Sequence, residues 1–301
     1  MSWEASGRGT LPITSAYRSV IDTPARLSRA LLEVNKAARP RRRDRVALAT
    51  WPKDHTARIG VGVRLEWDRV RVVHPKVDPV AVIGFALAQA LAKNPLANRR
   101  VAIWGVRSNP TVRLSFAVDS RDDLRIAVVD AADELDARAL QRALISSARE
   151  ARARRGRLAL ATRVVESLPV ILSRPGLRAW SALSAGLGIG MFGIPGAPFG
   201  AAMISSVARF GLPAVDVPFV PFTRCALVCS VGAIAPSVVA REGEAVVVDT
   251  VEVRVSYDHR VCDGAQLAGL LEDFLQACYG SAASGPRPSH DQPVTGDRPT
   301  G

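Results

Sequence analysis

The chain reads as an α/β fold, with strands and helices alternating along it, and three stretches of the sequence predict this. Residues Thr250 to Tyr257 alternate polar Thr250, Glu252, Arg254 and Ser256 with apolar Val251, Val253, Val255 and Tyr257, the period of two of a half-buried strand. Just beyond, Ala265, Ala268, Leu271 and Leu275 together with Leu267, Leu270, Phe274 and Cys278 recur at helical spacing. Further upstream, two apolar strands precede a long helical pattern. With 301 residues, 48% of them hydrophobic, the chain has ample apolar material for a core.

Taken in order, residues 1–40 form a flexible N-terminal extension with a short helix Pro24 to Ala38 that stops at Pro40. A strand is expected at Ile59 to Trp67. Asp78 as N-cap and Pro79 at the first helical position open a helix to Ala92, which Asn94-Pro95 ends. Strands Val112 to Val118 and Leu124 to Val129 flank the turn Asp119-Ser120-Arg121-Asp122. A helix from Asp136 to Arg155 follows, closed by Gly156. Cys225 and Cys229 are expected to share one face of an apolar strand running on to Val231. Asp263, with Gln266 three residues later, reads as a capping box for the last helix. Residues 280–301, rich in Ser, Gly and Pro, read as a disordered tail.

Residues 158–199 form an apolar insert rich in Gly and Pro, and no residue from Ala179 to Ala208 is charged. That run exceeds the ~20 residues a membrane span needs. Gly186, Gly188, Gly190, Gly193, Pro195, Gly196 and Pro198 interrupt it, so a buried or interfacial hairpin-like insert is expected, with contact to a membrane surface or a partner as the alternative. The string Gly188 to Gly193 matches Gly-x-Gly-x-x-Gly, but Pro195 and Pro198 forbid the helix that would receive a pyrophosphate.

The net charge is +12, with arginine clusters at Arg41-Arg42-Arg43, Arg45 and at Arg149, Arg152, Arg154, Arg155 and Arg157. Such charge favours an acidic partner. The clusters lack interleaved aromatic residues and no groove-reading motif accompanies them, which argues against nucleic acid. Four cysteines without a secretory signal or a Cys-x-x-Cys pair point to reduced thiols in the cytoplasm and to no metal site.

The strand and the helix of the first paragraph are joined by Tyr257-Asp258-His259-Arg260-Val261-Cys262-Asp263-Gly264, which sets a histidine at a tight junction where a base is easily exposed. Asp258, His259, Arg260, Asp263 and Gly264 fill the pattern Asp-His-Arg-x-x-Asp-Gly, and the segment resembles the signature of the acyltransferase (E2) component of 2-oxo-acid dehydrogenase complexes. Phe116 to Ser120 with Leu124 to Ala131 resembles that family's paired strands, and Asn94 to Asn98 its helix-ending segment. Gly200 to Gly211 is similar to its Gly-Thr-Phe-Thr-Ile-Ser-Asn-Leu-Gly-x-Phe-Gly run, with Ser205 on the hydroxyl position. The resemblance covers residues 41–279, interrupted by the insert, and no lipoyl-bearing domain precedes it.

The resemblance implies the chloramphenicol acetyltransferase fold, a two-layer arrangement of mixed sheet and helices that forms trimers, with a multiple of three as the expected assembly. It implies acyl transfer between coenzyme A and a thiol of dihydrolipoyl type, the lipoyl group being carried by a separate lipoyl-domain or acyl-carrier protein. His259 would be the general base and Ser205 the oxyanion donor, meeting only across subunits. Asp263 would hold the loop by capping the helix and pairing with an arginine, Arg45 being the expected partner, while Asp258 and Gly264 are structural positions. The ordinary alternative for Ser205 is a strand serine bonded to backbone. The alternative for the whole chain is a non-catalytic trimeric scaffold that binds partners through its insert or its arginines.

Overall fold

The computed structural model describes residues 58–280, apart from 103–104, 121–122, 154–162, 166, 191–193 and 242. The expectations for residues 1–40 and 281–301, the cluster Arg41 to Arg45, and the helix end at Gly156 lie outside the described residues.

Strand β1 (Arg58–Glu66) leads directly into a short helix α1 (Trp67–Val73), so Trp67 opens a helix rather than closing the strand. Helix α2 (Pro79–Lys93) begins as the sequence dictates: the Asp78 carboxylate accepts from the Val80 amide at 2.8 Å, and Pro79 needs no amide partner there. A small hairpin, β2 (Arg99–Ala102) with β3 (Gly105–Ser108), follows and had no sequence signal. Strands β4 (Leu114–Ser120) and β5 (Asp123–Val129) form the expected antiparallel pair. Asp136 caps α3 (Ala137–Arg152) by accepting from the Ala139 amide at 2.6 Å.

The insert holds a helix without a sequence signal, α4 (Val170–Ser181), continued by a π-helical turn Ala182–Gly186; beyond it the chain doubles back, the Ala197 amide donating to the Ser184 carbonyl at 3.0 Å. Helical residues run on through Pro175 and Gly176 to Gly186, and irregular chain follows. Gly200, in the left-handed region with φ of 72°, turns the chain into β6 (Ala202–Ser206), and a Cβ there would strike the Arg113 carbonyl. β7 (Leu227–Arg241) and β8 (Glu244–Asp258) then form a long hairpin, and α5 (Gly264–Tyr279) closes the fold.

The main sheet runs β1-β8-β7-β6-β4-β5, with β6 parallel to both β4 and β7 and the other pairs antiparallel. Helices α2, α3 and α5 contribute Leu87, Leu140 and Phe274 to one core with Ile204, Val253 and Tyr257 of the sheet. Since side chains alternate along a strand, Met203 takes the other face, where it joins Phe199 and Cys225 under Trp180 of the insert. Cys229 belongs to the helix-side core instead, so the two cysteines do not share a face: Cys225 precedes β7 and pairs only by an isolated bridge with Arg100. The polar face of β8 also departs from a half-buried strand, because Thr250, Ser256 and Asp258 are buried.

Candidate active site

The last residue of β8 organises the junction. Asp258 is 3% exposed, and its amide donates to the Ala226 carbonyl at 2.8 Å. Its Oδ1 accepts from the Arg260 amide at 3.0 Å and from Arg260 Nε at 2.9 Å, while Oδ2 accepts from the same guanidinium at 2.6 Å. A carboxylate that grips the residue two positions on folds the chain into a tight turn. The residue between them, His259, is left exposed at its tip. The pair also holds the Arg260 guanidinium above its usual pKa, through the hydrogen bonds it donates to Asp258.

Three further contacts fix this turn. The Val261 amide donates back to the Asp258 carbonyl at 2.9 Å. Arg99, from β2, donates to the Val261 carbonyl at 2.6 Å and to the Leu96 carbonyl, tying the turn to the segment that ends α2. The Tyr257 hydroxyl donates to the Ala97 carbonyl of the same segment, and burial pushes that phenol above its ordinary pKa. Beyond the turn, Asp263 Oδ1 accepts from the Gln266 amide at 2.8 Å and Gln266 Oε1 accepts from the Asp263 amide at 3.2 Å, the reciprocal capping box. Between them, burial pushes the Cys262 thiol up to about 11, with Asp263 adding to the effect and Arg99 opposing it.

The sequence-predicted residues divide into three groups. Asp258, His259, Asp263 and Gly264 come together on one loop. Asp263 caps the helix and has no arginine partner among the described residues, where Asp258 pairs with Arg260. Arg45 lies outside the described residues. Gly264 has an ordinary backbone conformation, and a Cβ there would meet nothing within 4 Å, so the chain itself does not require a glycine at this position.

Ser205 lies elsewhere. It sits on β6 in register with Ala117 of β4 and Ser230 of β7, and Ser230 in turn stands opposite Arg254 of β8. His259 is five residues beyond Arg254 and two strands across, roughly 20 Å from Ser205 at ordinary strand dimensions. The Ser205 side chain is half-buried on the face away from the helices and makes no hydrogen bond among the described residues, whereas Ser206 Oγ accepts from the Ala208 amide at 3.3 Å. The backbone-bonded role belongs to Ser206.

Sequence reasoning missed Arg99, whose role depends on a hairpin without a pattern of its own, and Arg224. The latter has φ of 54°, donates to the Val101 carbonyl, and has its pKa lowered by burial and then by the charge of Arg260. Arginines therefore crowd the side of the turn away from α5. Among the described residues no group of His, Cys, Asp and Glu is placed to hold a metal ion.

A profile described as 2-oxoacid dehydrogenases acyltransferase (catalytic domain) matches residues 64–161 and 200–278. The gap between the two matched stretches coincides closely with the insert. Among solved structures, the fold is similar to that of a probable dihydrolipoamide acetyltransferase from Listeria monocytogenes 4b F2365, at 18% identity and a TM-score of 0.55 over 91% of this chain and 95% of that one. It is similar as well to Azotobacter vinelandii dihydrolipoamide acetyltransferase, studied for the roles of a serine, a histidine and an asparagine in its catalytic mechanism, at 17% identity and a TM-score of 0.54 over 75% and 82%. The cubic core of a pyruvate dehydrogenase multienzyme complex matches at 17% identity and a TM-score of 0.53, also over 75% and 82%. No curated protein matches the chain by sequence.

Proposed function

The chain belongs to the 2-oxoacid dehydrogenase acyltransferase family by its catalytic domain, and from that membership and the geometry of the Asp258–Asp263 turn we propose that it moves an acyl group between coenzyme A and a dihydrolipoyl-type thiol, with His259 as general base. The observation that carries this reading is the turn itself, in which five contacts from Asp258, Arg260, Arg99 and the capping box hold the backbone on both sides of an exposed imidazole. A pre-set base is what thioester exchange needs, since only the thiolate attacks.

In the proposed reaction the imidazole takes the proton of the incoming thiol, and the thiolate adds to the thioester carbonyl. The tetrahedral oxyanion that results accepts a hydrogen bond from the Ser205 hydroxyl of a second subunit, an interaction worth roughly 3 kcal/mol in comparable sites. Collapse breaks the old carbon–sulfur bond, and the imidazolium returns its proton to the departing thiolate. Proton, acyl group and charge all balance. The separation of Ser205 and His259 within one chain supports an intersubunit site, and with it a trimer or a multiple of three.

Coenzyme A enters as substrate, and the arginines beside the turn, Arg224 and Arg260 among them, suit its phosphates. The lipoyl group belongs on a separate protein in this reading. Four free thiols support a reducing, cytoplasmic setting. The test is thiol release from a panel of acyl-CoAs with dihydrolipoamide. His259→Ala is expected to lower turnover by about 10²-fold or more. Equal rates for this variant and the wild type would leave a non-catalytic trimeric scaffold as the better reading.

A further inference from the structure

Helix α4 buries Leu177 but leaves a second set of aliphatic side chains facing outward. Ser173 and Ser181 are buried, as is Ser184 in the π-helical turn that continues it, while Ile171 is 81% and Leu172 56% exposed. Ile171, Pro175, Ala179 and Leu183 follow one another at intervals of four and are all exposed, which makes an uncharged stripe roughly 18 Å long at the helical rise. Leu172 and Gly176 widen it. An amphipathic helix normally turns its aliphatic face to the core. Here the core side combines buried Leu177 and half-buried Trp180, which packs on Phe199, with polar anchors: Arg224 Nε donates to Ser181 Oγ at 2.9 Å, and Arg100 Nε donates to the Ala185 carbonyl one turn on at 2.8 Å. The helix is thus pinned by its core side, and rotation cannot hide the outward aliphatic one.

Charge identifies what covers that face. Residues 158–199 hold three arginines, Arg163, Arg174 and Arg178, against one glutamate, a net of +2. Arg163 and Arg178 are exposed, Arg178 within α4 itself. Two copies meeting through this face would bring like-charged arginines together, which disfavours a self-associating pair. No described helix is long and apolar enough to cross a membrane. A short helix with aliphatic residues outward and arginines around it instead suits the boundary of an anionic bilayer, where the side chains enter the acyl region and the guanidiniums meet lipid phosphates.

We propose that the insert is a peripheral membrane-docking element, with α4 lying on the surface of an anionic lipid bilayer through Ile171, Leu172, Pro175, Ala179 and Leu183. The insert falls between the two stretches matched by the family profile, so this docking is separate from acyl transfer and goes beyond it.

The experiment is co-sedimentation of the full chain with phosphatidylcholine vesicles, with and without phosphatidylglycerol, at low and high salt. The chain is expected to partition onto the phosphatidylglycerol vesicles. A variant combining Ile171→Ser and Leu172→Ser keeps every charge and is expected to bind about tenfold more weakly or less. A control combining Val238→Ser and Val247→Ser, exposed valines of the β7–β8 hairpin, is expected to bind as the wild type does. The proposal is overturned if the wild type stays in the supernatant with phosphatidylglycerol present, or if the α4 variant binds as tightly as the wild type. It is equally overturned if the control loses as much as the α4 variant, or if the α4 variant changes the mass of the assembly, which would put a second copy on this face. No turnover is measured, so failure of the acyltransferase reading would leave these outcomes untouched.

Discussion

Ser205 stands level with Arg254 across the intervening strand β7, five residues short of His259, so its hydroxyl and the imidazole lie roughly 20 Å apart within one chain. A site that uses both must draw them from different copies, and this can be tested without a structure of the assembly. Ser205→Ala and His259→Ala are each expected to be nearly inactive. Co-expressed at equal levels and mixed at random in a ring, they should regain roughly a quarter of wild-type activity, the fraction of interfaces where an intact serine meets an intact histidine. Light scattering on the same samples should give a multiple of three subunits. A stable monomer, or no recovery in the mixture, would refute the shared site.

Asp258 and Asp263 lie five residues apart, yet their substitutions should separate cleanly. Asp258→Asn removes the charge that a buried carboxylate shares with Arg260, whose own side chain is half exposed. The expected loss of stability is about 1–3 kcal/mol, less than for a fully enclosed pair. Turnover should fall with it, because the turn that presents His259 loosens. Chemical denaturation and turnover on the same preparations check both.

Asp263→Ala should cost ~1 kcal/mol as a lost N-cap, whereas Asp263→Asn should leave stability nearly unchanged, since asparagine caps as well as aspartate. Pairing with an arginine would have made the asparagine variant costly as well. With Asp263 serving the capping box and no arginine beside it among the described residues, equal melting temperatures for Asp263→Asn and the wild type are expected, and a clear drop for the asparagine variant would restore the pairing with Arg45.

Burial pushes the thiols of Cys225 and Cys229 up to about 12 from an ordinary 9.0. A raised acid pKa means that the folded state prefers the protonated thiol, so its stabilising effect is complete below pH 9 and is lost as pH rises from 9 towards 12. Each thiol then contributes a loss of roughly 1.4 kcal/mol per pH unit in that window. Melting temperature should fall between pH 9 and 11, and Cys229→Ala should show a shallower fall whatever its starting stability. The native protein should also resist alkylation at pH 8 and react at all four cysteines once unfolded.

Local signals in the sequence were strong wherever one side chain settles one backbone choice. Asp78 with Pro79, Asp136, and Asp263 with Gln266 each marked a helix start correctly, because a cap depends only on residues three or four apart. The alternation of Val251 to Tyr257 identified the helix-facing side of β8. What the sequence left unread depends on distant partners. The β2–β3 hairpin has no alternation, and its residue Arg99 acquires meaning only from the carbonyl of Val261, far along the chain. Helix α4 of the insert went unread because the surrounding glycines and prolines drew attention from its helical stretch. The pairing of Asp258 with Arg260 was visible as spelling but not as geometry, since a residue and its next-but-one neighbour face each other only in a turn.

The parallel pairing of β6 with β4 has one further consequence. Two parallel neighbours cannot be joined by a tight turn, so the chain first runs back along β5 within the sheet and then passes outside it through α3 before starting β6 from the same end as β4. The insert lies on that return journey, after α3 and before Gly200. Lengthening a path that is already long is thermodynamically cheap, since each doubling of a flexible connection adds only ~0.6 kcal/mol. The registers on either side of β6 are unaffected by what the detour contains. This crossover therefore acts as a free port in the architecture, where an accessory segment can be fitted, resized or exchanged while the sheet that carries Ser205 and His259 stays the same.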